Sequence, residues 1–153
     1  MKLESGCFGT LEYEEESVIR LPEGMLGFAK CKRYILVENE EILPFKWLQS
    51  LDLPQVAFPV LDPHLVVQNY HCLVTPEDLQ ALEIEQESDL ATLAVSIIPE
   101  DASMATINLK APLLINHRKM IGKQIILSES EYSTMMPILS SLDKISATEA
   151  TSR

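Results

Sequence analysis

Short runs in which apolar and polar residues alternate make up most of the chain. They occupy residues 10–13, 18–21, 34–38, 45–50, 56–60, 92–98, 106–110, 113–115 and 123–127. Successive side chains of a strand point to opposite faces, so this alternation predicts strands. Residues 92–98 are apolar on both faces, which indicates a central strand. Pro59 lacks the N–H group that a ladder needs, so residues 56–60 are expected to form an edge strand or to carry a bulge.

A single segment has the signals of a helix. Thr75 can act as the N-cap, Pro76 suits the first helical position, and two acidic residues follow near the positive end of the helix dipole. Leu79 and Leu82 would form the buried stripe. We therefore predict a helix of about two turns that begins after Thr75.

The segments between the predicted strands are polar and typical of turns. Glu14, Glu15 and Glu16 are expected to form an exposed turn, after which the chain returns along the preceding strand. Residues 116–122 are expected to form the turn of a second hairpin.

Many short strands, one helix and no alternation of strands with helices predict a mainly β fold. For a chain of this length we expect a small antiparallel β-barrel-like single domain with one short helix. We assign residues 1–139 to this domain. Residues 140–153 are small and polar, so they are expected to form a flexible C-terminal tail.

The chain of 153 residues has a formal net charge of −11. An acidic surface repels the phosphate groups of DNA and RNA, so we expect no direct nucleic-acid binding. The same charge favours basic protein partners. Apolar runs are short, the N-terminus lacks an apolar signal segment, and three cysteines without regular spacing fit a reducing compartment. We therefore expect a cytoplasmic protein that contacts no membrane.

The sequence lacks the residue patterns of catalytic and metal sites. His71 and Cys72 are neighbours, and neighbours on a strand point to opposite faces, so they would not bind one metal ion. Gly24 and Gly27 do not form a phosphate-binding loop and are expected in turns with positive φ. We predict no catalytic residue, no metal and no cofactor. The alternative is a small barrel enzyme, which would need a pocket lined by His71, Cys72 and a carboxylate.

Five motifs occur in a fixed order along the chain. They read Gly-x-x-Gly-Phe at residues 24–28, Pro-Phe-x-Trp-Leu-Gln-Ser at 44–50, Ala-Phe-x-Val-x-Asp-Pro at 57–63, Asn-Leu-x-Ala-Pro-x-x-Ile-Asn at 108–116 and Gly-x-Gln at 122–124. In this order and spacing the motifs resemble the FliW flagellar assembly factors. The resemblance extends over residues 8–138.

The resemblance to FliW proteins implies a function in protein binding. FliW proteins are small, cytoplasmic, β-barrel-like proteins without enzymatic activity that bind newly made flagellin. They also bind CsrA, an RNA-binding translational repressor, and antagonise it when they are free of flagellin. The alternative within this reading is a generic flagellin export chaperone that does not bind CsrA.

Two groups of polar residues are candidates for partner binding. Polar side chains within strand and turn patterns either satisfy buried backbone groups or contact a partner. The first group comprises such residues of the motifs: Asn108, Asn116 and Gln124. The second group comprises acidic residues that could attract basic CsrA: Glu14, Glu15, Glu16, Glu100 and Asp101.

Apolar residues could form a groove for an amphipathic helix from a flagellin terminus. Methionine suits adaptable binding surfaces, although methionines also fill cores. The candidates are Met104, Met120, Met135 and Met136. Six other residues of the motifs are expected in the core: Phe28, Phe45, Trp47, Phe58, Leu109 and Ile115.

Overall fold

A computed structural model describes residues 1–38 and 40–138 of the chain. Its strands are β1 (Lys2–Ser5), β2 (Gly9–Glu12), β3 (Ile19–Arg20), β4 (Arg33–Glu38), β5 (Lys46–Ser50), β6 (Ala57–Leu61), β7 (Leu90–Ile97), β8 (Thr106–Ile107), β9 (Leu113–Asn116), β10 (Ile121–Gln124) and β11 (Met136–Pro137). The described part of the chain has one α-helix, α1 (Pro76–Ala81), and 3-10 turns at Glu15–Ser17, Glu40–Ile42, Pro63–Leu65, Glu87–Asp89 and Ala102–Met104. The predicted tail, residues 140–153, and the domain boundary at residue 139 lie outside the described residues.

Seven strands close into a barrel. They pair in the order β7, β6, β5, β4, β3, β10 and β9, and β9 returns to β7, where Leu93 pairs with Leu113. β3 and β10 run parallel, at Arg20 and Ile121, whereas the other pairs in the ring are antiparallel. A closed ring with an odd number of strands cannot reverse direction at every pairing, so one parallel pair is unavoidable. The predicted mainly β, barrel-like domain with one short helix is confirmed, with this single parallel pair as an exception.

Apolar side chains fill the barrel and also cover part of its outer surface. The buried residues of the interior are Ile19, Leu21, Met25, Cys31, Tyr34, Leu48, Val60, Leu113 and Ile115. Leu61, Ala94 and Leu114 point to the opposite side of their strands. They pack under the segment between β6 and β7, which contributes Tyr70 and Leu82. Both faces of β7 are therefore covered over most of its length, as its sequence predicts.

The N-terminal hairpin of β1 and β2 forms a separate two-stranded sheet outside the barrel. Leu3, Leu11 and Tyr13 pack against an outer cluster that includes Ile35. The prediction that the chain returns along residues 10–13 after the acidic turn is wrong, because β1 pairs there and β3 pairs with β4. β1 contains a single apolar residue, so alternation could not reveal it.

β6 lies between β5 and β7, so the expectation of an edge strand at Pro59 is wrong. Pro59 pairs with Trp47 of β5, but the pairing of β6 with β7 involves only Val60 and Leu61. Pro59 therefore lies just past the end of the β6–β7 ladder. Its missing N–H group removes no hydrogen bond between these two strands.

β8 and β9 follow one another along β7 and are separated by a bulge. Ile107 pairs with Ser96 and Leu113 pairs with Leu93, so residues 108–112 oppose only residues 94 and 95 of β7. β8 also pairs with the edge strand β11. β7, β8 and β11 thus form a small extension at one end of the barrel.

The predicted helix is confirmed at its predicted start. The Thr75 hydroxyl accepts a hydrogen bond from the Asp78 N–H group at 3.1 Å, which caps the first turn. Leu82, at the end of the helix, is buried, and Leu79 is half-buried. The apolar stripe therefore faces the covered side of the sheet.

The second predicted hairpin is formed by β9 and β10, in which Ile121 pairs with Asn116. β10 begins two positions earlier than its pattern indicates. Gly122 consequently belongs to the strand, where a Cβ atom would lie 3.1 Å from the Leu114 carbonyl oxygen. The hairpin turn spans only the residues between Asn116 and Ile121.

The aromatic residues of the motifs are half-buried, whereas Leu109 and Ile115 are fully buried. The rings of Phe28 and Phe58 meet edge to face at 5.2 Å. Phe28 and Phe58 pack against the buried cluster inside the barrel. Phe45 packs against the cluster under the segment between β6 and β7, and the ring of Trp47 meets the ring of Phe8 at 5.3 Å. The half-buried aromatics are Phe28, Phe45, Trp47 and Phe58.

Candidate functional site

Asn116 is fully buried and joins the β9–β10 hairpin to the end of α1. Its Nδ2 group donates to the carbonyl oxygens of Leu82 and Glu83 at 2.9 and 3.1 Å. Its Oδ1 atom accepts from the N–H groups of Arg118 and Lys119, both at 3.1 Å. These contacts occupy both ends of the amide and fix the hairpin turn.

Asn108 and Gln124 also bond to backbone groups of this chain. The Asn108 Oδ1 atom accepts from the N–H groups of Lys110 and Ala111 at 3.0 and 3.1 Å, which holds the bulge between β8 and β9. Gln124 accepts from the Leu26 N–H group at 2.8 Å and donates to the Ala111 carbonyl oxygen at 3.1 Å. All three motif amides therefore position the backbone; that they also contact a partner stays a prediction.

The acidic candidates lie at opposite ends of the barrel. Glu14, Glu15 and Glu16 are exposed beside the 3-10 turn before β3, next to the end of β4. Glu100 and Asp101 are exposed in the loop after β7. β4, β5, β6 and β7 alternate in direction, so the end of β7 lies at the rim opposite the end of β4. The structure does not bring the two acidic groups together, and their binding roles stay predictions.

The basic residues of the β9–β10 hairpin are already paired with carboxylates. Arg118 contacts the buried Asp89 at 3.1 Å and Glu85 at 2.9 Å. Lys119 lies 3.3 Å from Glu83. The Arg118 guanidinium, with N–H groups of residues 85 and 86, holds the pKa of Asp89 well below its usual range. Because these cations are paired, the hairpin is a poor surface for phosphate groups.

A groove of about 740 Å³ lies between the segment before α1 and the segment after β10. We call it the Leu73–Ile126 groove. Sequence reasoning did not identify it, because its two walls are distant in the chain. Its lining residues are His71, Leu73, Thr75, Ile126, Leu127, Ser128, Glu129, Ser130, Glu131 and Tyr132.

Two tyrosines hold the walls of the Leu73–Ile126 groove together. The Tyr132 hydroxyl accepts a hydrogen bond from the His71 N–H group at 2.9 Å, and its ring lies 4.8 Å from the ring of Tyr70. The Tyr70 hydroxyl donates to the Leu109 carbonyl oxygen at 2.6 Å. Burial raises the pKa of Tyr70, so this hydroxyl keeps its proton at neutral pH. These contacts within the chain fix the two walls of the groove relative to each other.

Apolar and acidic side chains stand side by side in the Leu73–Ile126 groove. Leu73 is 72% exposed and Ile126 is 57% exposed, although both are large apolar residues. Glu129 and Glu131 are exposed in the same wall as Ile126. Such a surface suits an amphipathic segment with basic residues beside its apolar face. The sequence held one signal, since residues 125–127 are all apolar in a predicted strand, whose successive side chains alternate between its two faces.

The four candidate methionines divide into two pairs. Met104 is 66% exposed and Met135 is 59% exposed, so both are available to a partner. Met120 and Met136 are half-buried and pack against the apolar clusters. Met135 follows the wall of the Leu73–Ile126 groove in the chain, which places an adaptable apolar side chain close to that wall in sequence.

His71 and Cys72 face different surroundings. His71 lines the Leu73–Ile126 groove, whereas Cys72 packs against the apolar cluster under the segment between β6 and β7. Burial raises the pKa of the Cys72 thiol, which disfavours the reactive thiolate. Over residues 1–38 and 40–138, no three histidine, cysteine or acidic side chains lie close enough to hold a metal ion. The helix found in the same residues is too short to cross a membrane.

Comparison with known proteins identifies a family over nearly the whole chain. The family described as FliW protein matches residues 2–138. The flagellar assembly factor FliW of Natranaerobius thermophilus is 37% identical over 139 residues, which cover 90% of this chain and 92% of that protein. The flagellar assembly factor FliW of Thermoanaerobacter pseudethanolicus is 38% identical over 143 residues, which cover 93% and 95%.

A solved structure shares the fold as well as the sequence pattern. It is described as the crystal structure of the flagellar assembly factor FliW, and it is 30% identical to this chain. The two structures superpose with a TM-score of 0.85, which covers 90% of this chain and 96% of the other. The chain belongs to the FliW family of flagellar assembly factors.

Proposed function

We propose that the protein binds flagellin and, when it is free of flagellin, binds and antagonises the RNA-binding translational repressor CsrA. Such a switch couples flagellin synthesis to flagellin export. Membership of the FliW family over residues 2–138 is the observation that carries the proposal. The protein would act in the cytoplasm, without enzymatic activity and without a cofactor.

The Leu73–Ile126 groove is the proposed flagellin site. A terminal segment that is unfolded before assembly must become ordered when it binds, and burial of its apolar residues has to offset the lost conformational entropy. Leu73 and Ile126 supply apolar surface for that burial, and the exposed Met135 lies three residues after the last lining residue in the chain. The tyrosine pair fixes the walls, so little of the binding free energy is spent on ordering the groove.

Substitutions in the groove test the flagellin site. In the variant Leu73→Ser/Ile126→Ser we expect flagellin to bind at least about tenfold more weakly, because two apolar contacts are lost. Isothermal titration against flagellin measures the change. Leu65→Ser is the matched control, since Leu65 is 41% exposed outside this groove, and it should bind like the unsubstituted protein. Equal affinity of all three proteins would refute the groove as the flagellin site.

Truncated flagellins show which surface of flagellin binds. Flagellin that lacks one terminal segment, and then flagellin that lacks the other, is titrated against the protein. We expect one truncation to abolish binding. If both truncations bind as tightly as full-length flagellin, a folded flagellin domain is the partner and the terminal-segment proposal is wrong.

Competition tests the switch itself. The protein is bound to immobilised CsrA and flagellin is added, which should release it. A protein that binds flagellin but never CsrA would instead be a generic export chaperone.

A second experiment mixes the protein with the flagellin leader transcript in the absence of CsrA. Because the basic residues Arg118 and Lys119 are paired with carboxylates and the chain is acidic, we expect the protein alone not to bind RNA.

A further inference from the structure

The edge of β4 is only partly covered by its neighbour β3. Tyr34 pairs with Ile19 and Arg33 pairs with Arg20, and β3 has no further residue. Before Ile19 the chain turns away in the 3-10 turn Glu15–Ser17. The last three residues of β4, from Leu36 to Glu38, therefore have no strand beside them on this edge within the part of the chain that the structure describes.

The backbone of Leu36 points toward this uncovered edge. The Leu21 N–H group donates to the Lys32 carbonyl oxygen at 2.7 Å, and the Leu51 N–H group donates to the Arg33 carbonyl oxygen at 2.9 Å. Alternate residues of an antiparallel strand direct their backbone groups to opposite neighbours. Residues 33, 35 and 37 therefore bond toward β5, whereas residues 32, 34 and 36 face the side of β3. β3 pairs only with Tyr34 and Arg33, so no residue of β3 lies opposite Leu36.

A groove of about 290 Å³ lies along this uncovered edge, and we call it the β4 groove. One wall is β4 itself, and the other is the end of the N-terminal hairpin with the acidic turn. The wall formed by the hairpin combines apolar Leu11 and Tyr13 with the exposed residues Glu12 and Glu14. The Glu12 carboxylate also lies 3.9 Å from the exposed Lys2 ammonium. The lining residues are Leu11, Glu12, Tyr13, Glu14, Ser17, Ile35, Leu36 and Val37.

A strand added beside Leu36 would have a defined pattern of side chains. The residue opposite Leu36 would point to the same face as Leu36, which packs against the apolar interior of the barrel. Its two neighbours would point outward with Val37, toward the hairpin wall that carries Glu12 and Glu14. The complementary segment therefore has an apolar residue flanked by basic residues.

We propose that the β4 groove is a strand-addition site for an extended segment of a partner protein, in which an apolar residue lies between lysine or arginine residues. Main-chain hydrogen bonds to Leu36 would hold the segment, and Glu12 and Glu14 would select its charge. The site is separate from the Leu73–Ile126 groove. The strand-addition proposal does not depend on flagellin or CsrA as partners. Its test can therefore fail while the proposed function holds, and the proposed function can fail while the strand-addition site is correct.

A synthetic peptide of alternating lysine and valine is the probe. We expect it to slow hydrogen exchange of the Leu36 amide, measured by NMR, while the Val37 amide, which already faces β5, is unaffected. The same peptide with N-methylated backbone amides keeps its charge and its side chains but cannot donate hydrogen bonds, and it should not protect Leu36. A peptide of alternating glutamate and valine should not bind.

Charge reversal at the rim provides the matched variant. Glu12→Lys/Glu14→Lys should weaken peptide binding about fivefold, since exposed charges each contribute modestly. The control Glu77→Lys/Glu87→Lys changes the net charge equally at exposed residues outside the groove and should change binding less than about twofold. Absence of Leu36 protection at peptide concentrations up to about 1 mM would overturn the proposal. Equal binding by the N-methylated peptide would overturn it too, because charge alone would then explain the binding.

Discussion

Gln49 connects the barrel to the hairpin outside it through one buried amide. Its side chain is 0% exposed. The Nε2 group donates to the carbonyl oxygens of Ser50 and Pro54 at 2.8 and 3.0 Å, and the Oε1 atom accepts from the Ser5 hydroxyl at 2.7 Å. Gln49 lies in the motif at residues 44–50, of which Phe45 and Trp47 are expected in the core, and its polarity is explained by the backbone groups with which it forms hydrogen bonds.

Replacing this amide should be costly. Gln49→Leu keeps the volume but leaves the buried Ser5 hydroxyl and the carbonyl oxygens without their partner, so we expect a loss of about 2–4 kcal/mol in the free energy of unfolding. Urea denaturation measures it. The control Gln68→Leu, at an exposed residue, should change stability by less than about 0.5 kcal/mol. Similar values for the two variants would show that the hydrogen bonds of Gln49 contribute little.

The backbone conformation of two glycines could be predicted from their place in a turn. Gly24 and Gly27 have φ values of 69° and 82°, as their place in a turn predicts. A Cβ atom at Gly24 would also lie 2.5 Å from the Phe28 carbonyl oxygen, whereas nothing lies within 4 Å of one at Gly27. The need for glycine at residue 24 is thus partly a matter of tertiary packing, which the sequence does not display.

At the scale of elements, α1 and the loop after it are fastened to the β9–β10 hairpin. Asn116 bonds the end of the helix, and Arg118 pairs with the buried Asp89. The Asp89 carboxylate also accepts from the N–H groups of Glu85 and Gln86 at 3.1 and 3.2 Å. The contacts of Asn116 and Arg118 join residues about 30 positions apart, so no local pattern could have predicted them. The contacts of Asp89 with Glu85 and Gln86 are local, and the contact with Gln86 belongs to a capping box.

The ion pair makes the fold sensitive to acid. The pKa of Asp89 is lowered in the folded protein, so its stabilising effect is complete above the ordinary aspartate value of about 3.9 and is lost as the pH falls below it. We expect Asp89→Asn to lower Tm at pH 7, and the difference from the unsubstituted protein to shrink below about pH 4. Thermal melts from pH 7 to pH 2 measure this. Glu87→Gln, at an exposed neighbour, serves as the control, and a difference that stays constant with pH would contradict the assignment.

Long alternating segments could be predicted from the sequence with nearly their observed bounds, whereas the two-residue strands were located only in part. β4, β5 and β7 have enough alternating residues to show a period of two. β3 and β8 lie within the predicted segments 18–21 and 106–110 but are shorter, because their pairing ends after two residues, and β11 was not predicted because its partner β8 is distant in the chain. The acidic candidates were identified from composition alone. The Leu73–Ile126 groove could not be identified from the sequence, because residues 71–75 and 126–132 come together only in the folded barrel.

At the scale of the whole molecule, the net charge of −11 should govern the rate of association with a basic partner. The acidic candidates at the two rims allow the contributing end to be identified. Glu15 and Glu100 suit this purpose because both are exposed, whereas Asp101 accepts hydrogen bonds from Ser103 and caps its turn.

We therefore predict that the association rate with CsrA falls about tenfold between low and high salt. Of the single reversals Glu15→Lys and Glu100→Lys, the one at the rim that meets CsrA should slow association more at low salt. Stopped-flow mixing measures both. A rate that does not change with salt would argue against steering by the acidic surface.

The parallel pair of β3 and β10 also has a consequence for the order in which the protein forms during synthesis. Its two partners lie about a hundred residues apart in the chain, and such distant contacts make folding slow. A nascent chain that ends before β10 can pair β3 through β7 and can add β9 to β7, but it leaves β3 and β9 as open edges. β10 is the last strand of the ring to emerge from the ribosome and completes it, and until then the uncovered edges are the part of the nascent chain most exposed to aggregation.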